Sequence, residues 1–256
     1  MSCRLTVVGL GPGRLDWCTP EVSAILEDAT DLVGYAPYLA RVPQTCAARR
    51  HASDNRVEAE RAEHALNLAA DGGDVVVVSS GDPGVFAMAS AVLERLDQDP
   101  GRWRDVQISV CPGITAAQAL ASRVGAPLGH DFCVISLSDV LKPWSIIERR
   151  LDAAASADFV IALYNPRSRQ RPHQFTDAIG IVSRHREPAT PVIVGRHVGR
   201  DEESVTITDL GRLDHATIDM STIVIIGSST TRVLDRPAGC RVYTPRTYAD
   251  PRPAAG

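Results

Sequence analysis

Short apolar runs alternate along the chain with longer stretches whose apolar residues recur at helical spacing. That pattern predicts a layered α/β protein rather than a helix bundle or a sandwich. Leu5 to Gly9 reads as the first strand and ends in Gly9-Leu10-Gly11-Pro12-Gly13. Thr19 then reads as an N-cap with Pro20 at the first helical position, and Val22, Ile25, Leu26 and Ala29 fall on one face. After a loop rich in Tyr and Pro, a helix is predicted near Glu58 to Ala70, with Ala62, Leu66 and Ala69 inward and Gly72-Gly73 as its stop. Val75 to Ser79 is apolar at every residue but the last, as in a strand covered on both faces, and it empties into Ser80-Gly81-Asp82-Pro83-Gly84. The following helix is expected to carry Val85, Met88, Ala89, Val92, Leu93 and Leu96. A strand from Val106 to Val110 then runs into Pro112-Gly113-Ile114-Thr115-Ala116. Three strands thus end in glycine-bearing loops at one edge of a sheet, the edge at which α/β proteins place ligands.

Two glycines and a proline in Val124-Gly125-Ala126-Pro127-Leu128-Gly129-His130-Asp131 mark the expected domain junction. An N-terminal α/β domain is expected over 1–124 and a C-terminal one over 125–248, with a tail at 249–256. In the second half Phe132 to Ser136 reads as a strand, Pro143-Trp144 opens a helix through Ile147 and Leu151, and Phe159 to Leu163 is a strand ending at Tyr164-Asn165-Pro166. A helix near His173 to His185 precedes extended segments at Val192 to Gly195, Val205 to Thr208 and Ile223 to Ile226. Their closeness favours a mixed sheet with some antiparallel pairing. From Pro237 on, proline and small residues suggest a loosely held tail.

Composition narrows the function classes. The 256 residues are 44% hydrophobic and 23% charged, with a formal net charge of -4, values of an ordinary globular protein with no general field for a nucleic acid. No segment reaches ~18 uninterrupted apolar residues, so no membrane span is expected, and without a basic region leading into a long apolar run no signal peptide is expected either. A cytoplasmic location follows as the expectation. Cys3, Cys18, Cys46, Cys111, Cys133 and Cys240 show no CxxC spacing, which argues against a structural metal site or a dithiol motif and for reduced, mostly buried thiols.

The loops carry the candidate chemistry. In the first, the third glycine of a dinucleotide fingerprint is replaced by Arg14 and Pro12 stiffens the turn, so that fingerprint is broken; a plain turn or a different small-molecule loop remains. Asp82 either receives an ammonium or ribose hydroxyl or caps the next helix. Thr115-Ala116 either opens a flat ligand surface or packs a helix closely. Arg167, Arg169 and Arg171, with Arg196, His197 and Arg200, form two basic clusters after strands, suited to an anionic ligand with several carboxylates or to ordinary solvated surface. His51, His64 and His215 read as surface or packing groups, and no hydrolytic triad is defensible from spacing.

Val8-Gly9-Leu10-Gly11-Pro12-Gly13, Ser79-Ser80-Gly81-Asp82, Pro112-Gly113-Ile114-Thr115-Ala116 and Asp219-Met220-Ser221-Thr222, in this order, resemble the tetrapyrrole methylase family. Gly125 to Cys133, Ile135 to Asp139 and Leu163-Tyr164-Asn165-Pro166 are similar to its subgroup acting on C17 of precorrin-3B. The resemblance implies two α/β domains, each a mixed sheet flanked by helices, with S-adenosylmethionine in the cleft between them. It implies donor contacts at Leu10, Pro12, Gly81, Asp82, Val85, Thr115, Ala116, Tyr164, Arg196, His197 and Thr222. Peripheral substrate carboxylates would fall to Arg14, Arg167, Arg169 and Arg171, and proton transfer during ring contraction to Asp139, His130 and Ser138. A homodimer is implied, with no metal held by the protein, no nucleic-acid partner and no membrane. The alternative substrate is cobalt-factor III, whose metal would arrive inside the macrocycle. Pro83 and Phe86 stand where the subgroup more often shows Ala and Tyr.

Overall fold

The computed structural model describes residues 3–54, 57–237 and 239–248, and the expected tail at 249–256 lies outside them. Two compact units divide between Ala116 and Ala117. The expected boundary at 124/125 lies at the C-terminal end of the helix Ala116–Val124, at whose start this division falls.

The first unit is built from β1 (Arg4–Gly9), α1 (Pro20–Asp28), β2 (Asp31–Tyr35), α2 (Ala36–Leu39), β3 (Arg49–Ser53), α3 (Glu58–Ala70), β4 (Asp74–Ser79), α4 (Met88–Gln98) and β5 (Gln107–Cys111). Its five strands take the order β3-β2-β4-β1-β5, and all four pairings are parallel. The mixing of strand directions expected in each unit therefore occurs only in the second. Val75 to Val78 are buried in the centre of this sheet and face a different cluster on each side, Val75 and Val77 with α3 and α4, Val76 and Val78 with α1. This is why the strand reads as an unbroken apolar run. Thr19 accepts a hydrogen bond from the Val22 amide at 3.2 Å, as an N-cap does, and Val22 and Leu26 are buried beneath it.

Three expectations need correction here. β2 and β3 occupy the region read as a loop, and β3, Arg-Arg-His-Ala-Ser, has no apolar run to announce it. The helix after β4 begins at Met88, not near Gly84, because Pro83 to Ala87 turn outward with Phe86 at a positive φ of 54°. Val85 is consequently outside the helix, and Leu93 is 51% exposed.

The second unit comprises α5 (Ala116–Val124, from Ala117 on), β6 (Gly125–Ala126), β7 (Phe132–Ser136), α6 (Trp144–Ser156), β8 (Val160–Tyr164), α7 (Gln174–Val182), β9 (Pro191–Arg196), β10 (Ser204–Asp209), β11 (Thr222–Ile226), β12 (Arg232–Leu234) and β13 (Arg241–Tyr243). The main sheet runs β10-β9-β11-β8-β7. β7 and β8 are parallel, while β11 is antiparallel to β8 and β9, and β10 to β9. Ile147, Leu151, Phe175 and Ile179 of α6 and α7 cover it together with Leu163 and Val224. The stretch before the expected tail is structured: β13 pairs with β6 and β12, Val242 is fully buried, and the Thr244 hydroxyl donates to the Pro127 carbonyl at 2.6 Å. A side chain at Gly125 would come within 2.7 Å of the Val242 carbonyl oxygen, so this close strand pairing requires glycine. The cysteines are free thiols, but only Cys46 and Cys111 are buried and Cys240 is exposed.

Candidate functional site

Because β4, β1 and β5 are adjacent and parallel, their outgoing loops converge. The first two loops join as a short antiparallel bridge: the Gly11 amide donates to the Gly81 carbonyl at 3.2 Å and the Gly81 amide to the Gly11 carbonyl at 2.9 Å. Asp82 secures the third, since its Oδ2 accepts from the Gly113 amide at 3.1 Å while Oδ1 accepts from the Gly84 amide at 2.8 Å. Asp82 thus does not cap α4; it ties two loops together. A side chain at Gly113 would overlap the Gly81 carbonyl oxygen and lie 2.8 Å from that of Gly9. The three backbones therefore meet as closely as peptides can. Beside them, a carbon added to Gly81 would have no neighbour nearer than 3.9 Å, so an open surface adjoins the packed junction.

One arginine that sequence patterns did not single out organises this junction. Arg41 Nη2 donates to the carbonyls of Leu10, Gly11 and Gly13 at 3.2, 2.8 and 3.0 Å, and Nη1 donates to Ser80 Oγ at 3.1 Å. It follows α2 in the Tyr- and Pro-rich stretch, where no spacing marks it. Leu10 itself has no exposed surface, and its amide is bonded to Ser79 O at 2.9 Å. Pro12 is also buried, Val85, Thr115 and Ala116 are half-buried, and Arg14 is exposed beside Asp16 at 2.6 Å.

In the second unit the strand directions bring the ends of β7, β8 and β9 and the start of β11 to one edge. Tyr164 closes β8 there, and its hydroxyl accepts from the Ala117 amide at 2.9 Å, near the start of α5. Arg196 pairs in register with Thr222, and Arg196 Nε donates to Asp219 Oδ2 at 2.9 Å. Asp219 Oδ1 accepts from the Ser221 amide at 2.8 Å and the Thr222 hydroxyl at 3.0 Å. Burial opposes charge on Asp219, yet the bonds from Arg196, Ser221 and Thr222 outweigh it and hold the carboxyl below its ordinary range. His197 sits at a positive φ of 52°, its amide bonded to Ser221 O at 3.1 Å. At this edge lies an open hollow of about 430 Å³ lined by Arg167, Ser168, Arg169, Pro172, Met220 and Ser221, among others. Arg167 keeps one contact, from Nη1 to the His215 carbonyl at 3.0 Å, and Arg169 is exposed.

Arg171 does not join them. It is 7% exposed, Nη1 donates to the carbonyls of Leu137 and Asn165 at 3.1 and 3.0 Å, and Nη2 to the Met220 sulfur at 3.3 Å. Its guanidinium braces this edge from within. Asp139 and Ser138 lie on the same edge, just beyond β7. Asp139 Oδ2 accepts from Gln174 Nε2 at 3.1 Å, and Oδ1 lies 3.9 Å from Arg171 Nε. His130 is elsewhere. It precedes the five-residue β7, and at ~3.3 Å per residue that strand alone spans about 16 Å between it and Asp139. There it packs against the Tyr248 ring, 5.1 Å between centroids, beside Asp131 and a separate hollow. His130 and Asp139 thus flank opposite ends of β7. Burial pushes the Cys133 thiol up to about 11, which leaves it protonated and inert. Among the described residues no group of three or more His, Cys, Asp or Glu is placed to hold a metal ion, and no helix is long and apolar enough to cross a membrane.

Comparison with known proteins agrees with this architecture. Residues 4–214 match the family of Tetrapyrrole (Corrin/Porphyrin) Methylases. The chain is 50% identical over 250 residues to a precorrin-3B C(17)-methyltransferase of Sinorhizobium sp., covering 97% of this chain and 98% of that protein. It is 52% identical over 254 residues to the cobalamin biosynthesis protein CobIJ of Mycobacterium tuberculosis, of which it spans 49%. The crystal structure of the methyltransferase CobJ superposes with a TM-score of 0.89 at 51% identity, over 94% of this chain and 99% of that one.

Proposed function

The chain belongs to the tetrapyrrole (corrin/porphyrin) methylase family, and from that premise we propose that it transfers the methyl group of S-adenosylmethionine to C17 of precorrin-3B, with contraction of the macrocycle, to give precorrin-4. What carries the reading is the three-loop glycine junction, present in a chain that shares 50% identity with nearly the full length of a precorrin-3B C(17)-methyltransferase.

The residues present suit the donor. Each Asp82 oxygen accepts one amide hydrogen and keeps a further lone pair for the methionine ammonium. The open surface at Gly81 admits the chain of the donor without displacing a side chain. In this reading the donor also draws on Val85, Thr115 and Ala116, and its adenosine on Tyr164, Arg196, His197 and Thr222. Bound S-adenosylmethionine supplies an activated methyl on a sulfonium. The protein therefore has to align the acceptor carbon, exclude water and move protons, rather than provide a nucleophile.

Arg167 and Arg169, with Arg14, hold the peripheral carboxylates of the tetrapyrrole. Lined by two guanidiniums and two serines, the hollow offers the planar donor forks that carboxylates favour. Ring contraction requires a base for the hydroxyl on the extruded carbon. Asp139 lies at this edge with Gln174 Nε2 donating to one oxygen and Arg171 Nε 3.9 Å from the other, and it takes that role with Ser138 beside it. A homodimer in the cytoplasm completes the proposal. The test is anaerobic incubation with labelled donor and either precorrin-3B or cobalt-factor III, followed by mass spectrometry. Gain of one methyl by the metal-free substrate supports the reading, while transfer to cobalt-factor III alone moves the enzyme to the cobalt-containing substrate.

A further inference from the structure

We infer that Gln174 is a positioning residue for Asp139, pairing with that carboxyl in both its ionised and its protonated state by turning its side-chain amide over. The inference rests on the role given to Asp139 above. Gln174 is the first residue of α7, and its Nε2 donates to Asp139 Oδ2 at 3.1 Å. Its Oε1 is buried and is, among the described residues, the buried side-chain polar atom without a hydrogen-bond partner. Buried acceptors are normally satisfied, so an orphan oxygen on a side chain that bonds a candidate acid-base group points to a second arrangement in which it is used.

A primary amide carries a donor end and an acceptor end of nearly equal shape. While Asp139 is ionised, Nε2 faces it, the arrangement the structure records. Once Asp139 takes a proton, its O–H becomes a donor, and the amide turned over presents Oε1 to receive it. Arg171, the charged group facing Asp139 from the loop before α7, cannot do this, because a guanidinium donates and never accepts. During ring contraction the substrate O–H bond breaks and its proton joins an Asp139 oxygen. The electron pair stays on the substrate oxygen as its carbonyl forms, the migrating carbon–carbon bond displaces the lactone oxygen, and that oxygen leaves as a carboxylate. The proton then passes from Asp139 to solvent. Gln174 neither gains nor loses a proton in the cycle.

The test compares Gln174→Glu, Gln174→Met and Asp139→Asn by the pH dependence of kcat for ring contraction of precorrin-3B with S-adenosylmethionine. Glu at the first position of a helix is electrostatically favoured, so Gln174→Glu folds. At neutral pH its carboxylate accepts but does not donate, so it opposes ionised Asp139 and favours the protonated form. The rising limb of kcat, which reports ionised Asp139, then moves to higher pH by at least about one unit. Gln174→Met lowers kcat roughly tenfold or more with KM unchanged. If Asp139→Asn abolishes contraction while Gln174→Glu leaves the limb unmoved, whatever its kcat, the role of Gln174 is overturned and that of Asp139 stands. If Asp139→Asn contracts the ring at the full rate, the role of Asp139 fails, and this inference with it.

Discussion

Asp82 and Gly113, the one after β4 and the other after β5, are joined by a hydrogen bond of 3.1 Å from the Gly113 amide to the Asp82 carboxylate. That bond ties two separate loops together, and it explains why an acidic residue is placed directly after a buried strand. The carboxylate is satisfied by backbone amides on both oxygens, so its burial carries little penalty.

The junction does not tolerate a methyl group. Gly113→Ala is expected to lower stability by about 1–3 kcal/mol through overpacking and to abolish measurable donor binding, because the overlap at Gly81 can be relieved only by moving backbone. Thermal unfolding and calorimetric titration with S-adenosylhomocysteine check both parts. Donor affinity within a factor of two of the wild type would show that the three loops are not a rigid unit.

Arg41 is expected to act through the loop it holds. Arg41→Met removes three charge-assisted bonds to carbonyls of the first glycine loop. With such bonds worth ~1.5–3 kcal/mol each before the loop relaxes, donor affinity should fall at least about tenfold. Arg41→Lys should recover only part of it, since an ammonium cannot span the same fan of acceptors. Full affinity in Arg41→Met would place the loop's order elsewhere.

His130→Ala should leave kcat and KM for the methyl-transfer and contraction steps within about twofold of the wild type, as is usual for changes remote from a site. The residue stands at the opposite end of β7 from Asp139. A hundredfold loss of kcat with an intact fold would return it to the reaction.

The buried Asp31 makes acid stability testable. Burial would raise its carboxyl, but Arg49, His51 and Thr30 outweigh that and hold it below the ordinary value of 3.8. A depressed carboxyl contributes its stability above the unfolded value and loses it as pH falls through the folded one. Asp31→Asn should therefore cost about 1–2 kcal/mol at neutral pH through weakened hydrogen bonds and show a flatter fall in stability below about pH 4. Urea midpoints across that range measure it, and parallel curves for the two proteins would contradict the assignment.

The order of elements was legible in the sequence where periodicity was strong. The apolar run of β4, the helix Glu58–Ala70 and the Thr19-Pro20 start all have local causes that tertiary structure did not override. β3 was not legible, because an edge strand with Arg49, Arg50 and His51 is stabilised by pairing with β2 and by bonds to Asp31 and to α2 rather than by apolar alternation. Arg41 and Gln174 escaped for a related reason. Each acts through atoms that only the fold brings near, carbonyls of a distant loop in one case and an aspartate 35 residues away in the other. The burial of Arg171 was not legible, because an arginine in a basic cluster looks the same in sequence whether its guanidinium faces solvent or backbone carbonyls.

The central claim is most directly tested by incubating the purified protein anaerobically with precorrin-3B and S-adenosylmethionine carrying a 13C-labelled methyl group, then locating the label by NMR. One labelled methyl on C17 of a ring-contracted product bearing an acetyl substituent is the predicted result. A label on any other carbon, or an unlabelled and uncontracted tetrapyrrole recovered after prolonged incubation, would contradict it.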